Sequence, residues 1–202
     1  MQVVIDADVL YGGTTRALLL YLDHHDVIRV RWSALLIVET SRALVKTGRL
    51  TREAASRTVE LMARAAPDAD VPVHDVQRAF RRAWPGVRDA KDLHVAACAV
   101  VVHDQVEAGG APAPVYLITK NTKDFAPRKL AAMGILQLHP DAFLHELCQR
   151  DGARVAAAFD AFREDLPERP EAGRVLQKLA SDGQKKTAAA MEAVVLAGRV
   201  FL

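Results

Sequence analysis

Three short runs of mainly β-branched and aliphatic residues constrain the fold of this chain most. They occupy residues 3–5, 115–119 and 135–138. The first of them, Val3-Val4-Ile5, has no polar residue in alternation, which is typical of a strand buried on both faces of a parallel sheet. Stretches with helical spacing separate the runs. Strands that alternate with helices predict an α/β domain with a mainly parallel sheet.

The other segments fit this pattern up to Pro140 and then change. Further strands are predicted at residues 27–32 and 71–74. Helices are predicted at residues 14–25, 34–46, 51–66, 76–84 and 90–107. Beyond Pro140 only helical segments follow, broken by glycine and proline. We therefore expect an α/β domain over residues 1–140 and a helical extension over residues 141–202.

Composition excludes several classes of protein. Half of the 202 residues are apolar and 26% are charged, which is typical of a globular protein rather than a disordered one. The two cysteines, Cys98 and Cys148, lie in apolar helical patterns and are expected to be buried thiols of a reducing compartment. The apolar run at residues 95–102 is far shorter than the ~20 residues that span a bilayer. We expect a soluble cytoplasmic protein without a membrane partner.

Acidic residues follow the predicted strands. Asp6 directly ends the first strand, at the sheet edge where open α/β sheets bind ligands. Its alternative role is that of a turn or cap residue, and Asp8 is expected to act as a cap or a supporting group. Glu39 is the sole charge in Ala34-Leu35-Leu36-Ile37-Val38-Glu39, so its carboxylate is expected on an apolar helix face. There it costs several kcal/mol unless it binds a metal or a cation such as Arg42.

Two further segments carry acids. Asp92 opens the long apolar helix that Asp89 is expected to cap, and its buried carboxylate would need a cation. The second run leads into Thr119-Lys120-Asn121, where Asn121 and the later Asp124 are rival candidates for a fourth ligand. Either could instead be an ordinary turn residue.

Several carboxylates at one sheet edge repel one another and hold together around a cation. Oxygen ligands without histidine or cysteine favour Mg²⁺ or Mn²⁺ over zinc. Basic residues border the acids, which is the arrangement expected for contact with a phosphodiester backbone, although charge runs are usually solvated surface. The candidates for this contact are Lys91, Lys120 and Lys123.

Four blocks resemble the PIN-domain ribonucleases, in particular the VapC-type toxins of bacterial toxin–antitoxin pairs. The blocks are VVIDADVL, LIVETSRAL, RDAKDLHVAACA and LITKNTKDF, and they occur in the family's order within residues 1–140. The resemblance implies a three-layer α/β/α PIN-like fold and metal-dependent hydrolysis of RNA phosphodiester bonds by a toxin nuclease, with Mg²⁺ or Mn²⁺ as cofactor. It also implies RNA, a cognate antitoxin protein and a second copy of the chain as partners.

The resemblance also assigns residues. Metal binding and catalysis fall to Asp6, Glu39 and Asp92. The position of the family's fourth acid holds Asn121, so the fourth catalytic group is either Asp124 or Asn121 itself. Supporting positions are Asp89 and Thr119.

Two other functions remain open. The first is a catalytically silent RNA- or protein-binding PIN-like module, which the loss of an acid at Asn121 favours. The second is a haloacid-dehalogenase-like phosphatase, because Asp6-Ala7-Asp8 is similar to its nucleophile motif. That family requires its last acids after the threonine and lysine motifs, whereas Asp89 and Asp92 precede Thr119. The phosphatase is therefore the weaker alternative.

Overall fold

The computed structural model describes residues 1–110 and 113–199, with side chains to residue 195. The strands are β1 Gln2–Ile5, β2 Arg29–Ser33, β3 Asp70–Val71, β4 Val115–Ile118 and β5 Ile135–Leu138. The helices are α1 Ala7–Leu10, α2 Gly13–His24, α3 Ala34–Lys46, α4 Arg52–Ala65, α5 Val73–Ala83, α6 Leu93–Ala108, α7 Pro127–Ala131, α8 Pro140–Glu164, α9 Ala172–Ser181 and α10 Lys185–Arg199. Single 3₁₀ turns include Ala90–Asp92 and Thr122–Asp124.

Within the described residues, five strands form one parallel sheet in the order β3-β2-β1-β4-β5. In the register of this sheet, Val3 of β1 lies opposite Val30 of β2 and Tyr116 of β4. Helices pack along the sheet. The structure therefore confirms the predicted α/β class, with a parallel sheet and α/β/α layers.

Helix α6 forms the centre of the core beside the strands. Residues 95–102 are all buried, because this helix is apolar on every face. It contacts β1, β2 and β4, and α5 packs along it. The predicted long buried helix is confirmed, but it begins at Leu93 rather than at residue 90, after the turn Ala90–Asp92.

The chain divides into two compact units. Unit 1 contains residues 1–11 and 28–139, and unit 2 contains residues 12–27 and 140–202. Helix α2 thus groups with the C-terminal helices. Within unit 2 the ring of Tyr21 lies 5.5 Å from that of Phe162, and its hydroxyl donates to Asp165. Spacing along the sequence does not predict this grouping, since these partners are more than a hundred positions apart.

Side chains also cap helices inside unit 2. The carboxylate of Asp182 accepts hydrogen bonds from the N–H groups of Thr14 and Thr15, at 3.0 and 3.3 Å, at the start of α2. Asp141 accepts in the same way from Thr187 at the start of α10. Among residues 1–110 and 113–199, no helix combines the length and the apolar character needed to span a bilayer.

Gly134 is expected to be intolerant of a side chain. It joins α7 to β5 with φ of +73°, and a Cβ there would overlap the imidazole of His103. We expect Gly134→Ala to lower the free energy of unfolding by about 2 kcal/mol, from backbone strain plus steric overlap. The control is Gly48→Ala, where φ is +68° but the space is open, with an expected loss of about 1 kcal/mol. Equal losses in urea denaturation would contradict the steric contribution.

Candidate active site

The register of β1 and β4 brings Asp6 and Thr119 together. Ile5 lies opposite Ile118, so the residues that follow them are neighbours at the carboxyl edge of the sheet. The Thr119 hydroxyl donates to Asp6 Oδ2 at 2.8 Å, and the Ala7 N–H donates to Oδ1 at 2.7 Å. Asp6 is only 4% exposed. It is both the cap of α1 and a buried carboxylate, so its two sequence interpretations are compatible.

Asp8 holds the turn that follows β4. Its carboxylate accepts hydrogen bonds from the backbone N–H groups of Lys120 and Asn121, each at 3.0 Å. The Thr119 hydroxyl is 3.4 Å away, but its single proton is directed to the nearer Asp6. Asp8 therefore fixes the loop carrying Thr119 beside Asp6, which agrees with its expected supporting role.

Asp92 lies at the junction of the turn Ala90–Asp92 and α6. It is 6% exposed, and among the described residues its Oδ2 has no hydrogen-bond partner. An unpaired buried carboxylate oxygen is costly, so the site favours a cation. Asp89 accepts a hydrogen bond from the Lys91 N–H at 3.1 Å. Asp89 therefore caps the turn Ala90–Asp92 rather than α6 itself, whose N-cap position is held by Asp92.

The prediction that the Glu39 carboxylate lies on an apolar helix face is wrong. Its side chain is 52% exposed, and Oε2 lies 3.0 Å from Nε2 of His94. The buried stripe of α3 is Leu36, Thr40 and Leu44, and Glu39 is turned about 100° from Thr40. Its partner is His94 rather than the expected Arg42.

The two candidates for the fourth ligand, Asn121 and Asp124, lie in different environments. Asn121 uses its N–H to bind Asp8, and the residue is exposed. The Asp124 carboxylate is mostly buried and lies 3.6 Å from Lys91 Nζ, which also contacts Asp89 at 3.0 Å. The Asp124 carbonyl accepts a hydrogen bond from the N–H of Arg88 at 2.7 Å. This contact ties the Asp124 turn to the segment that carries Asp92.

Burial and mutual repulsion shift the titration of the acids. The pKa of Asp6 is raised to about 7, mainly by burial and also by the carboxylates of Asp8 and Glu39, against the opposing hydrogen bonds from Thr119 and Ala7. The pKa of Asp92 is raised to about 6, mainly by burial; the charge of Lys91 opposes this shift, and the carboxylates of Asp124, Asp89 and Glu39 contribute to it. Glu39 thus acts electrostatically on both buried acids, so these carboxyl groups share one neighbourhood.

His94 is affected by the same neighbourhood. Burial lowers its pKa, but the hydrogen bond and the charge of Glu39 outweigh burial, so the net shift is upward. The Glu39–His94 contact is therefore strongest when the imidazole is protonated.

The metal-free protein is expected to lose stability as the pH rises from about 4 to about 7. Asp6 and Asp92 bind protons more tightly when folded, with pKa values of about 7 and 6 against 3.8 for the ordinary side chain. The stability linked to these protons is present below pH 3.8 and is lost as the pH passes through the raised values. Urea denaturation in chelator at several pH values measures this loss, and Asp6→Asn should flatten it. A stability that increases over this range would contradict the assignment.

A tight cluster of possible ligands lies elsewhere. In the described part of the chain, the group whose ligand atoms all lie within 4.8 Å of one another is His103, Asp104 and Glu107 on α6. Asp6, Glu39 and Asp92 are not drawn together this closely. Arg82 donates to both oxygens of Asp104 at 2.7 Å, so the α6 cluster is part of an ion-pair network.

One residue of the site was undervalued by the sequence patterns. A histidine on a buried apolar helix is usually a satisfied core residue, and the partner of His94, Glu39, lies 55 positions away in the sequence. The sequence signal that could have found His94 is its position two residues after Asp92, near the carboxyl edge of the sheet.

In the comparisons with known proteins, no family model, no curated protein and no solved structure matches this chain.

Proposed function

We propose that this protein is a Mg²⁺- or Mn²⁺-dependent endoribonuclease, the toxin of a bacterial toxin–antitoxin pair. The observation that carries the proposal is the buried, unpaired Oδ2 of Asp92 in an environment that it shares with Asp6 and Glu39. A carboxylate in that position is stabilised by a cation. The resemblance of the four sequence blocks to PIN-domain ribonucleases supports the same activity.

The donor set fits a hard divalent cation. Asp6, Glu39 and Asp92 would hold the ion, with Asp124 as the fourth acid. All of these donors are carboxylate oxygens, which Mg²⁺ and Mn²⁺ prefer. A bound ion of this kind supplies Lewis-acid chemistry, lowering the pKa of water and offsetting negative charge on a phosphate.

The protein's own residues orient this donor set. Thr119 and the Ala7 N–H hold the Asp6 carboxylate, and His94 contacts Glu39. Lys91 lies between Asp89 and Asp124. Its ammonium group is placed to attract a phosphate toward the acids.

The RNA backbone would be held by charge rather than by base recognition. The lysines proposed for this are Lys91, Lys120 and Lys123, and contacts of this kind do not distinguish bases. Selectivity would then come from RNA shape and exposed single strands. The proposal includes action on cytoplasmic RNA, inhibition by a cognate antitoxin, and assembly with a second copy.

The test is cleavage of a structured RNA in Mg²⁺, in Mn²⁺ and in chelator. We expect internal cuts with either metal and none in chelator. Cleavage that continues in chelator would reject the proposal. Tight RNA binding without cleavage in both metals would favour the catalytically silent module, for which the amide at Asn121 is the supporting observation.

A further inference from the structure

A stacked aromatic and cationic pair lies at the end of α1. The guanidinium carbon of Arg49 is 4.7 Å from the centroid of the Tyr11 ring. Arg49 also donates to the Tyr11 carbonyl at 3.3 Å, and the Tyr11 hydroxyl donates to Thr47 Oγ1 at 3.0 Å. Arg49 is exposed and Tyr11 is partly exposed. The pair is thus held in one arrangement while a face of the guanidinium remains open.

The sequence Thr47-Gly48-Arg49 fixes Arg49 in this position. Helix α3 ends in a motif in which the N–H of Gly48 bonds to Val45 O and the N–H of Arg49 bonds to Leu44 O. Gly48 has φ of +68°, the left-handed conformation that this ending requires. The turn directs the chain back, so that Arg49 reaches Tyr11.

Tyr11 and its hydrogen-bond partner Thr47 each end a helix that begins at, or carries, an acid of the candidate site. Tyr11 follows α1, whose cap is Asp6, and five residues of helix span about 8 Å. Thr47 ends α3, which carries Glu39 eight residues earlier, or about 12 Å along the helix. Helices α1 and α3 pack against each other. The pair is therefore close to the acids and rigidly linked to them.

Charge links the pair to the loop after β4 as well. The contact with Thr47, followed by the charges of Arg49 and Lys120, lowers the pKa of the Tyr11 hydroxyl. The Lys120 N–H in turn binds Asp8. Arg49 and Lys120 are therefore both close enough to the Tyr11 hydroxyl to act on it electrostatically.

We propose that Tyr11 and Arg49 form a nucleotide-binding platform for single-stranded RNA beside the acidic site. Arg49 pairs with a backbone phosphate, and the stack of ring and guanidinium supports one unpaired base. This inference rests on the proposed ribonuclease function and adds the residues that position its substrate.

Binding of a labelled single-stranded RNA tests the platform. The parent is the full chain with Asp92→Asn in Mg²⁺, so that binding is measured without cleavage, and Glu39→Gln is a second parent. We expect Tyr11→Ala to weaken binding about tenfold and Tyr11→Phe to retain it, because the ring supplies the stacking. Arg49→Ala should lower the slope of log affinity against log salt by about 0.7, the contribution of one phosphate contact on a single strand.

The controls separate this platform from charge and from folding. Arg64→Ala removes the same charge from the far end of α4 and should leave the salt slope unchanged. Thermal melting verifies that each variant is folded, and Arg49→Lys should keep the salt slope if a variant with alanine does not fold. A fully paired RNA duplex should lose less affinity with Tyr11→Ala than the single strand does. With Asp92 and Glu39 intact, Tyr11→Ala should raise KM for RNA with kcat unchanged.

The outcomes distinguish this inference from the proposed function. If both parents bind RNA, and Tyr11→Ala and Arg49→Ala bind it as Arg64→Ala does, the platform is rejected while the ribonuclease proposal stands. If neither parent binds RNA, the platform is rejected, and metal-dependent cleavage by the unsubstituted chain decides the ribonuclease proposal separately. A salt slope reduced by Arg49→Ala alone, with the tenfold loss in Tyr11→Ala, supports the platform.

Discussion

Replacing Asp92 with asparagine is expected to lower RNA cleavage by about a thousandfold and to stabilise the metal-free protein. Asparagine keeps the size of the side chain but removes a charged oxygen ligand, and losses of such transition-state electrostatics reach this magnitude. At pH 8 the buried Asp92 is ionised, since its pKa is about 6, and its Oδ2 has no hydrogen-bond partner in the part of the chain that the structure describes. A neutral amide costs less to bury there than an unpaired carboxylate. Function and stability should therefore change in opposite directions.

Cleavage in Mn²⁺ and urea denaturation in chelator at pH 8 measure the two effects. The matched control is Asp104→Asn, which removes a carboxylate from the competing cluster on α6. That variant should cleave RNA normally and should lose some stability, because Arg82 loses its partner. Undiminished cleavage by Asp92→Asn would reject the metal-site assignment. A loss of cleavage in Asp104→Asn would move the site to α6.

Divalent metal is expected to raise the free energy of unfolding by about 2.7 kcal/mol when its concentration is a hundred times its Kd. For a chain of this size the gain corresponds to an increase in Tm of about 5–10 °C. At pH 5.5 the gain should be much smaller, because Asp6 and Asp92, with pKa values of about 7 and 6, hold protons that the metal must displace. Thermal melting with Mg²⁺ or Mn²⁺ against chelator measures this gain at the two pH values.

Two variants separate the possible locations of the ion. Asp6→Asn should abolish the stabilisation by metal, and Asp104→Asn should leave it intact. The reverse result would identify His103, Asp104 and Glu107 as the ligands. A stabilisation that is equal at pH 5.5 and pH 8 would contradict binding at acids with raised pKa values.

Strands β1, β2, β4 and β5 and the long core helix could be predicted from the sequence because their signals are local. The strand predicted at residues 71–74 is wrong beyond Val71, since α5 begins at Val73. The runs at β1 and β4 are largely apolar on both faces, which suits a parallel sheet covered by helices, and α6 is apolar all round. The exposed position of Glu39 could not be predicted in this way. The direction of a helix face depends on what packs against α3, and its neighbours Leu35 and Leu36 differ in burial themselves.

Part of the candidate site could also be predicted, because some of its residues have local sequence signals. Asp6 and Asp92 follow directly from their positions at a strand end and a helix start, and both are buried as expected. The Asp8 contacts with the loop after β4, the Glu39–His94 pair and the Tyr11–Arg49 stack are long-range or tertiary. Such contacts depend on register and on helix packing, which no short pattern encodes.

The grouping of α2 with the C-terminal helices has a consequence for synthesis of the chain. Thr14 and its capping residue Asp182 are 168 positions apart, and the partners of α2 in unit 2 lie in α8 and α9. At translation rates of about 5–20 residues per second, α2 waits roughly ten seconds or more for these contacts. During that interval, in which the rest of unit 1 is made, its leucines lack their final partners in unit 2. A prematurely terminated copy would keep this defect permanently and become a substrate for proteases.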